Sequence, residues 1–256
     1  MAPALPANIE IQPLRITDLR DVYLLAEAAF HVNNRLLYTG KLSPSSISNL
    51  VASREKSFTE KHITAFKVVD SSAFPPTSIS STPNGAGEAK VEEKGRIIGW
   101  AQWAVYETDQ VVDKSVDEIV GARLDLDIPE LRKEVAEPSW RMIQEGKREI
   151  LGVSPADAGY GKVVTLRRRV ELEGICVHPD YQRKGIAREL LKWGTDEADR
   201  LGLDLYLEAT EEGRPVYERA GFEAIKEERF ECEFGAAPFT FMIRPPRKRS
   251  IEEVSN

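Results

Sequence analysis

The sequence predicts an α/β protein in which strand and helix patterns alternate along the chain. Alternating or branched apolar runs, which predict strands, lie at 9–14, 63–70, 91–106, 163–177, 203–208, 222–233 and 238–243. Apolar residues at helical spacing lie at 17–30, 43–61, 185–201 and 213–220. The strand at 203–208 follows a strand and a helix, and such a crossover predicts that the two strands run parallel.

Composition places the chain among soluble globular proteins and bounds its partners. Of 256 residues, 41% are hydrophobic and 30% are charged, with a net charge of -7. An acidic balance disfavours nonspecific binding to nucleic acids or membranes, and no apolar run approaches the roughly 20 residues of a membrane span. With only Cys176 and Cys232, and with no signal-peptide pattern at 1–6, we expect a reducing, cytoplasmic location without a nucleic-acid or membrane partner.

The N-terminal part predicts a strand followed by two helices. Residues 1–8 are expected to be flexible, and an alternating strand starts at Ile9. Ser43 and Pro44 predict an N-cap with proline in the first turn of the second helix. Polar and aromatic residues near the two helices either touch a substrate or serve as core and rim residues, and both interpretations stay open: Phe30, Asn33, Asn34 and Tyr38.

Two segments interrupt the regular pattern, and a polar tail follows it. Residues 71–90 are rich in Ser, Pro, Thr and Gly and predict a mobile loop within a hairpin, either a lid or a tolerated surface insertion. Residues 107–160 predict a helical insertion, with Pro129 and Pro138 each in the first turn of a helix. The tail at 245–256 is polar, and the basic run at 244–249 is either a nuclear signal or a solvated end.

The rest of the chain is organised around the stretch from Glu171 to Leu191. An apolar strand ends near Val177, Pro179 interrupts it, and a turn containing Gly185 opens directly into a helix. The free N–H groups and the dipole at such a helix start attract anions. Three basic residues add charge there, and we expect a phosphate-bearing ligand: Arg183, Lys184 and Arg188.

Two motifs resemble those of the GNAT superfamily of N-acyltransferases. Residues 177–187, VHPDYQRKGIA, resemble its acetyl-CoA signature, and residues 215–222, PVYERAGF, resemble its second motif, a tyrosine-bearing helix closed by Gly-Phe. The resemblance is strong over 163–231, weaker over 9–106 and absent over 107–160. An asparagine that is frequent about seven residues before that tyrosine in the family is missing here, where 210–213 read Thr-Glu-Glu-Gly.

The resemblance implies a GNAT fold and acetyl-CoA as cosubstrate. The fold would be one domain over 9–244, a mixed central sheet with splayed parallel strands four and five, flanked by helices. The backbone of the signature strand would form a ladder with the pantetheine arm, and the following loop would cradle the pyrophosphate. The residues implied in cofactor binding are Ile175, Cys176, Val177, Gln182, Arg183, Lys184, Gly185, Ile186, Ala187 and Arg188.

The resemblance also implies direct transfer of an acetyl group to a primary amine, in a small molecule or a peptide. Such attack needs a base, and Glu173 is the first candidate and Glu171 the second. The alternative is that both carboxylates pair with nearby arginines, Arg167 or Arg169. Tyr217 is the candidate general acid for the departing thiolate, and the alternative is an aromatic packed beside Phe222.

Two other functions stay open on the sequence alone. A noncatalytic acyl-CoA-binding or regulatory module would keep the loop without turnover, and the missing asparagine favours it slightly. The second alternative is an enzyme that acetylates the N-terminus or a lysine of a protein. The three histidines, His31, His62 and His178, lack metal-ligand spacing, so no metal is expected. The oligomeric state is open, and a homodimer is among the alternatives.

Overall fold

The computed structural model describes residues 5–73, 95–154 and 163–247. Most of the loop predicted at 71–90, and the tail beyond 247, lie outside the described residues. In the described ranges, no helix has the length and apolar content that a bilayer crossing requires.

The described part of the chain contains nine strands, seven α-helices and two short 3-10 helices. The strands are β1 Ile9–Pro13, β2 Ile63–Asp70, β3 Arg96–Tyr106, β4 Gln110–Val112, β5 Val164–Leu166, β6 Arg169–Val177, β7 Leu205–Thr210, β8 Glu223–Cys232 and β9 Gly235–Arg244. The helices are α1 Leu19–Ala29, α2 His31–Leu37, α3 Pro44–Phe58, α4 Val116–Leu124, α5 Lys133–Leu151, α6 Ile186–Leu201 and α7 Arg214–Arg219.

The main sheet has seven strands in the order β1-β2-β3-β6-β7-β9-β8. Every neighbouring pair is antiparallel except β6 and β7, which are parallel. Helix α6 packs on one face through Ile186, Leu190 and Leu191. Helix α1 covers the other face through Leu19 and Val22. The predicted mixed central sheet flanked by helices is therefore confirmed.

The fourth and fifth strands of the main sheet, β6 and β7, share a ladder only where they begin. Their registered pairs are Val170 with Leu205 and Glu171 with Tyr206. Beyond these pairs, β6 continues to Val177 without registering against β7. One edge of β6 is therefore unpaired by strand neighbours from residue 172 onward, within the part of the chain that the structure describes.

The single long strand predicted for 163–177 is wrong, because the chain leaves one sheet and enters another within it. Strand β5 pairs with β4 in a separate two-stranded sheet, and β6 begins only at Arg169. Between them, the backbone N–H of Arg168 donates to Asp109 Oδ1 at 2.9 Å. The Arg167 guanidinium donates to the carbonyl of Ile150 at 2.7 Å. These contacts hold both residues away from the main sheet.

The segment at 107–160 contains two helices, but neither begins at a proline. Helix α4 starts after Ser115, whose side chain accepts from the backbone N–H of Glu118 in a capping box. Pro129 lies in the turn before α5, and Pro138 lies inside α5, so the predicted helix starts are wrong. Pro138 cannot donate the hydrogen bond of a helix interior, but that loss is confined to one position near the start of a long helix.

Helix α5 lies directly against the sheet. A Cβ on its Gly146 would come within 2.3 Å of the Phe241 ring of β9, so only glycine permits this approach. Leu151, Val164 and Phe241 belong to one buried cluster that joins α5 and β5 to the main sheet. The inserted helix thus completes the core on this face.

Candidate active site

A loop with unusual backbone geometry connects β6 to α6. Arg183 and Gly185 have φ values of 61° and 85°, both in the left-handed region, and Gly185 is the N-cap of α6. Among the residues that the structure describes, no side chain caps that helix start. Left-handed residues in such a turn direct successive N–H groups to one side, which forms an anion-binding concavity. The pyrophosphate site expected at this loop from its glycine and basic residues is compatible with this geometry and stays a prediction.

Side chains around this loop hold it in place. Gln182 Nε2 donates to the carbonyl of Val177 at 3.2 Å and so braces the loop against the end of β6. The hydroxyl of Tyr181 donates to Asp70 Oδ2 at 2.7 Å. The ammonium of Lys184 lies 4.7 Å from the centre of the Tyr181 ring. The loop is thereby fixed to β2 while Arg183 and Lys184 stay exposed.

The requirement for glycine at 185 comes from the backbone. Of the described residues, only the Arg188 side chain would come within 4 Å of a Cβ there, with Nη2 at 3.4 Å, so a Cβ would have room. The φ of 85° favours glycine, because any other residue would be strained in that conformation. Crowding of a bound phosphate by a side chain would add to this conformational requirement.

The edge of β6 next to this loop is open on the side of β7. On its other side, Ile175, Cys176 and Val177 register with Ala101, Trp100 and Gly99 of β3. An extended ligand could therefore add to the free edge as a further strand would. The predicted contact of residues 175–177 with a pantetheine arm stays a prediction.

Glu173 occupies a β-bulge at the point where β6 and β7 separate. Gln102 registers with Gly174 and Trp103 with Leu172, so Glu173 is the extra residue on β6. Its Oε2 accepts from Gln102 Nε2 at 2.5 Å and lies 3.7 Å from Arg54 Nη2. The side chain keeps 28% of its surface exposed. Glu173 is accordingly accessible to an incoming amine or to water.

Glu171, the second predicted base, lies in a buried ion-pair network. Arg169 Nε donates to its Oε2 at 2.8 Å, and Lys147 of α5 donates to its Oε1. Burial alone would raise the pKa of Glu171, but the charges and hydrogen bonds of Lys147 and Arg169 outweigh burial and lower it. This is the pairing with arginine that the sequence left open, and it makes Glu171 a weak proton acceptor.

Glu208 on β7 is a candidate that the sequence analysis missed. Burial, together with the negative charge of Glu171, raises the pKa of Glu208, although Lys147 partly offsets them. Its Oε1 accepts from the hydroxyl of Tyr206 at 2.8 Å. A charged residue in the middle of an apolar strand was the available signal, but its position opposite β6 depends on a register that the sequence does not specify.

Glu173 and Glu208 flank the opening between the parallel strands. Each lies two residues beyond the last registered pair, Glu171 with Tyr206. Glu208 shares the face of Tyr206, because side chains alternate along a strand. That face is opposite α6, and Glu173 lies on it too, as its contact with Arg54 of α3 requires. Two carboxylates therefore border the place where a thioester at the free edge of β6 would react.

Tyr217 is packed beside the same opening. Its residue is 8% exposed, and its ring lies edge-on to Phe222 at 5.9 Å. Burial, and then the proximity of Cys176, raise the pKa of Tyr217, which keeps the phenol protonated at neutral pH. Its hydroxyl makes no hydrogen bond with the described residues. The structure therefore shows the packing of Tyr217 beside Phe222, while its role as general acid stays a prediction.

Cys176 does not have the properties of a nucleophile. The residue is buried, and burial raises the pKa of its thiol to about 12. A thiol with that pKa carries almost no thiolate at neutral pH. A covalent acyl intermediate on this cysteine is therefore disfavoured by its environment.

Side chains of α3, α4 and the end of α2 pack together on this side of the sheet, and Arg54 of α3 reaches Glu173. Of the residues predicted to border a substrate, Phe30 packs with the core of α1. Asn34 donates to the carbonyl of Glu27 at 3.1 Å, which joins α2 to α1. Tyr38 interacts electrostatically with Tyr23 and with Arg123 of α4. We call this region the helix-side cleft and define it by six residues: Tyr23, Tyr38, Arg54, Arg123, Glu173 and Glu208.

Comparison with known proteins identifies one family. Residues 126–242 match the sequence model described as Acetyltransferase (GNAT) domain. No curated protein sequence matches the chain. A solved structure of the ribosomal-protein-S18-alanine N-acetyltransferase from Escherichia coli is 16% identical, with 95% of this chain and 97% of that chain covered and a TM-score of 0.46.

Two further solved structures show the same order of similarity. The histone acetyltransferase HPA2 and related acetyltransferase from Corynebacterium glutamicum is 15% identical, with coverages of 95% and 99% and a TM-score of 0.49. Arabidopsis thaliana NAA60 in complex with a bisubstrate analogue is 12% identical, with coverages of 94% and 99% and a TM-score of 0.46.

Proposed function

This chain is an acyltransferase that carries a GNAT domain, and we propose that it transfers an acetyl group from acetyl-CoA directly to a primary amine. The observation that carries the proposal is the place where β6 and β7 separate. There the strands cease to pair after Glu171 and Tyr206, next to an uncapped helix start that suits a pyrophosphate. Two carboxylates border the opening.

The residues that would hold acetyl-CoA are those of β6 and the following loop. Backbone N–H groups from 183 to 187 are directed at the pyrophosphate, and the exposed Arg183 and Lys184 add positive charge. The free edge at 175–177 binds the pantetheine amides. When bound, acetyl-CoA supplies an activated acetyl thioester.

The acceptor amine must lose a proton before or during its attack. Most of an alkyl amine is protonated at neutral pH, so a nearby base raises the reactive fraction. Glu208 is suited to this role because its pKa is raised, which makes it a stronger base than an ordinary carboxylate. Glu173, accessible at the bulge, receives the proton directly or positions the ammonium group.

Tyr217 supplies the proton for the departing sulfur. Among the described residues its hydroxyl makes no hydrogen bond, so no other acceptor competes with the sulfur for its proton. A phenol with a raised pKa stays protonated through the neutral range and is available as a donor. The buried side chain of Cys176 next to it would lie close to the bound cofactor's thiol arm.

The test is calorimetric titration of the protein with acetyl-CoA and with CoA, followed by measurement of thiol release with a panel of amines and peptides. Binding together with amine-dependent release supports the enzyme. Binding without release by any amine would favour a noncatalytic acyl-CoA-binding module instead. Absence of binding would remove the cofactor site from the proposal, and the acetyltransferase function with it.

A further inference from the structure

Resting on this proposed function, we infer that the acceptor is an amine that also carries an anionic group, a carboxylate or a phosphate, bound by Arg54 and Arg123. The helix-side cleft is electrically divided. Its strand side presents the carboxylates of Glu173 and Glu208, while its helix side presents the two guanidinium groups. An ammonium group and an anion on one small molecule match these two sides.

Neither guanidinium is fully compensated by the protein. Arg54 Nη2 lies 3.7 Å from Glu173 Oε2, longer than a hydrogen bond, and Gln102 already donates to that oxygen at 2.5 Å. Arg123 stacks on the Trp140 ring at 4.7 Å and has no carboxylate within 4.0 Å in the described ranges. Stacking on an aromatic face leaves the N–H edge of a guanidinium available to an anion.

Two arginines elsewhere in the fold have their charge neutralised by a hydrogen-bonded carboxylate. Arg244 binds Asp199 with two hydrogen bonds, each 2.8 Å. Arg169 donates to Glu171 at 2.8 Å. Both are buried structural residues with a fixed partner. Arg54 and Arg123 differ from them because they stay more accessible. Among the described residues, Arg54 has only the 3.7 Å contact with Glu173, and Arg123 has no carboxylate within 4.0 Å.

The two charges of the cleft also oppose each other. Burial, and then the charge of Arg54, lower the pKa of Arg123. Arg123 is nevertheless accessible to solvent at its surface. An anion between the guanidinium groups would relieve their repulsion and would form bidentate, charge-assisted hydrogen bonds.

The tyrosines fit an acceptor of limited size. Tyr23 donates its hydroxyl to the carbonyl of Leu50 at 3.2 Å, which fixes its ring beside Arg54. Tyr38 is fixed by a bridge to Leu131, just before α5. Tyr38 packs in one cluster with Leu50 of α3 and Leu124 of α4, so Arg54 and Arg123 lie on helices that meet at this ring. The insertion therefore contributes a recognition residue.

The experiment compares amines that differ only in the anion. With saturating acetyl-CoA, initial rates are measured for phosphoethanolamine against ethanolamine, for β-alanine against propylamine, and for spermidine. Binding of each compound to the CoA complex is measured calorimetrically in parallel. We expect kcat/KM of an anionic member to exceed that of its neutral counterpart about tenfold or more, since hydrogen bonds to charged groups are strong. The pair that responds distinguishes phosphate from carboxylate.

Variants then assign the effect to the cleft. Arg123→Gln should abolish the preference for the anionic member by raising its KM about tenfold, so that the ratio of kcat/KM between the two members of each pair falls to about one. Arg141→Gln, which removes an exposed arginine of α5 paired with Asp117, is the matched control and should keep the preference.

Each outcome decides the inference. Equal rates and equal binding for the members of each pair, or a preference for spermidine, would overturn it while the acetyltransferase function stands. An anionic preference that survives Arg123→Gln and Arg54→Gln would also overturn it. If acetyl-CoA itself fails to bind, the proposed function fails first, so the two failures are distinguishable.

Discussion

Lys147 of α5 and Glu171 of β6 form a buried ion pair that fixes the inserted helix to the last paired position of the parallel strands. The ammonium donates to Oε1 of the carboxylate, while Arg169 binds Oε2. Only 18% of the Lys147 side chain and 5% of the Glu171 side chain are exposed. The insertion is therefore held to the strand that carries the candidate site, two residues before Glu173.

Replacing Lys147 by Met should destabilise the protein by about 3–5 kcal/mol, because a buried carboxylate loses one of its two cations. Chemical denaturation at pH 7 measures the free energy of unfolding. Lys192→Met is a matched control, since Lys192 forms an exposed pair with Asp196 and its loss should cost no more than about 1 kcal/mol. Equal effects of the two substitutions would show that the buried pair is not stabilising.

The same ion pair predicts a dependence of stability on acid. The folded-state pKa of Glu171 is lowered, so its contribution is complete above the unfolded pKa of about 4.3 and is lost as pH falls through the folded value. Lys147→Met should reduce that loss, because the lowering depends on its charge. Denaturation curves of both proteins from pH 7 to pH 3 would reveal it, and parallel curves would contradict it.

Glu208→Gln should lower kcat by roughly 10²–10⁴-fold if Glu208 is the general base. A base must be deprotonated, so the wild-type rate should fall as pH drops through a pKa above the ordinary glutamate value, and the variant should lose this limb. Glu173→Gln, measured in the same way, separates the two candidates. Glu218→Gln, at an exposed position of α7, serves as the control. Wild-type profiles for both site variants would remove the carboxylate base.

Gly185→Glu should abolish binding of acetyl-CoA, because a side chain at a left-handed position would strain the loop and place a negative charge beside the pyrophosphate. Gly202→Glu is a close control, since Gly202 has φ 65° and lies at the opposite end of α6 with nothing within 4 Å of a Cβ. Thermal denaturation should show comparable losses for the two, while calorimetry with CoA should show lost affinity for Gly185→Glu alone. Retained affinity would contradict the pyrophosphate assignment.

Tyr217→Phe should lower kcat about tenfold or more while leaving the affinity for CoA nearly unchanged, since only the proton donor is removed and the ring keeps its contact with Phe222. Steady-state rates with a slow and a fast acceptor, together with calorimetry, measure both quantities. A wild-type rate would leave Tyr217 as a packing residue. A parallel loss of affinity would indicate a binding role instead.

Local signals in the sequence were sufficient for much of the fold and for the phosphate loop. Ser43 caps α3 as expected, with its side chain accepting from the N–H of Ser46 at 3.2 Å, because capping depends on neighbours in sequence. Gly185 was found for a similar reason, since a left-handed turn before a helix is encoded by the residue itself. Such features need no knowledge of the sheet.

Features that depend on distant residues were not predictable in this way. The break between β5 and β6 follows from contacts of Arg167 and Arg168 with the insertion, and no turn residue marks it. Glu208 became a candidate only because β6 and β7 stop pairing two residues before it. The lowered pKa of Glu171 required the position of Lys147, which comes from a helix 24 positions away in the chain.

The close contact of Gly146 with the Phe241 ring limits how acceptor specificity can be changed. Helix α5 fills the core at this contact, and the same insertion provides Arg123 for the cleft. Exchanging residues 107–160 for a shorter connection would uncover Phe241 and Glu171 together. Substrate range in this protein should therefore be altered by single substitutions in the cleft, while transplanting the whole segment would require a redesigned sheet surface beneath it.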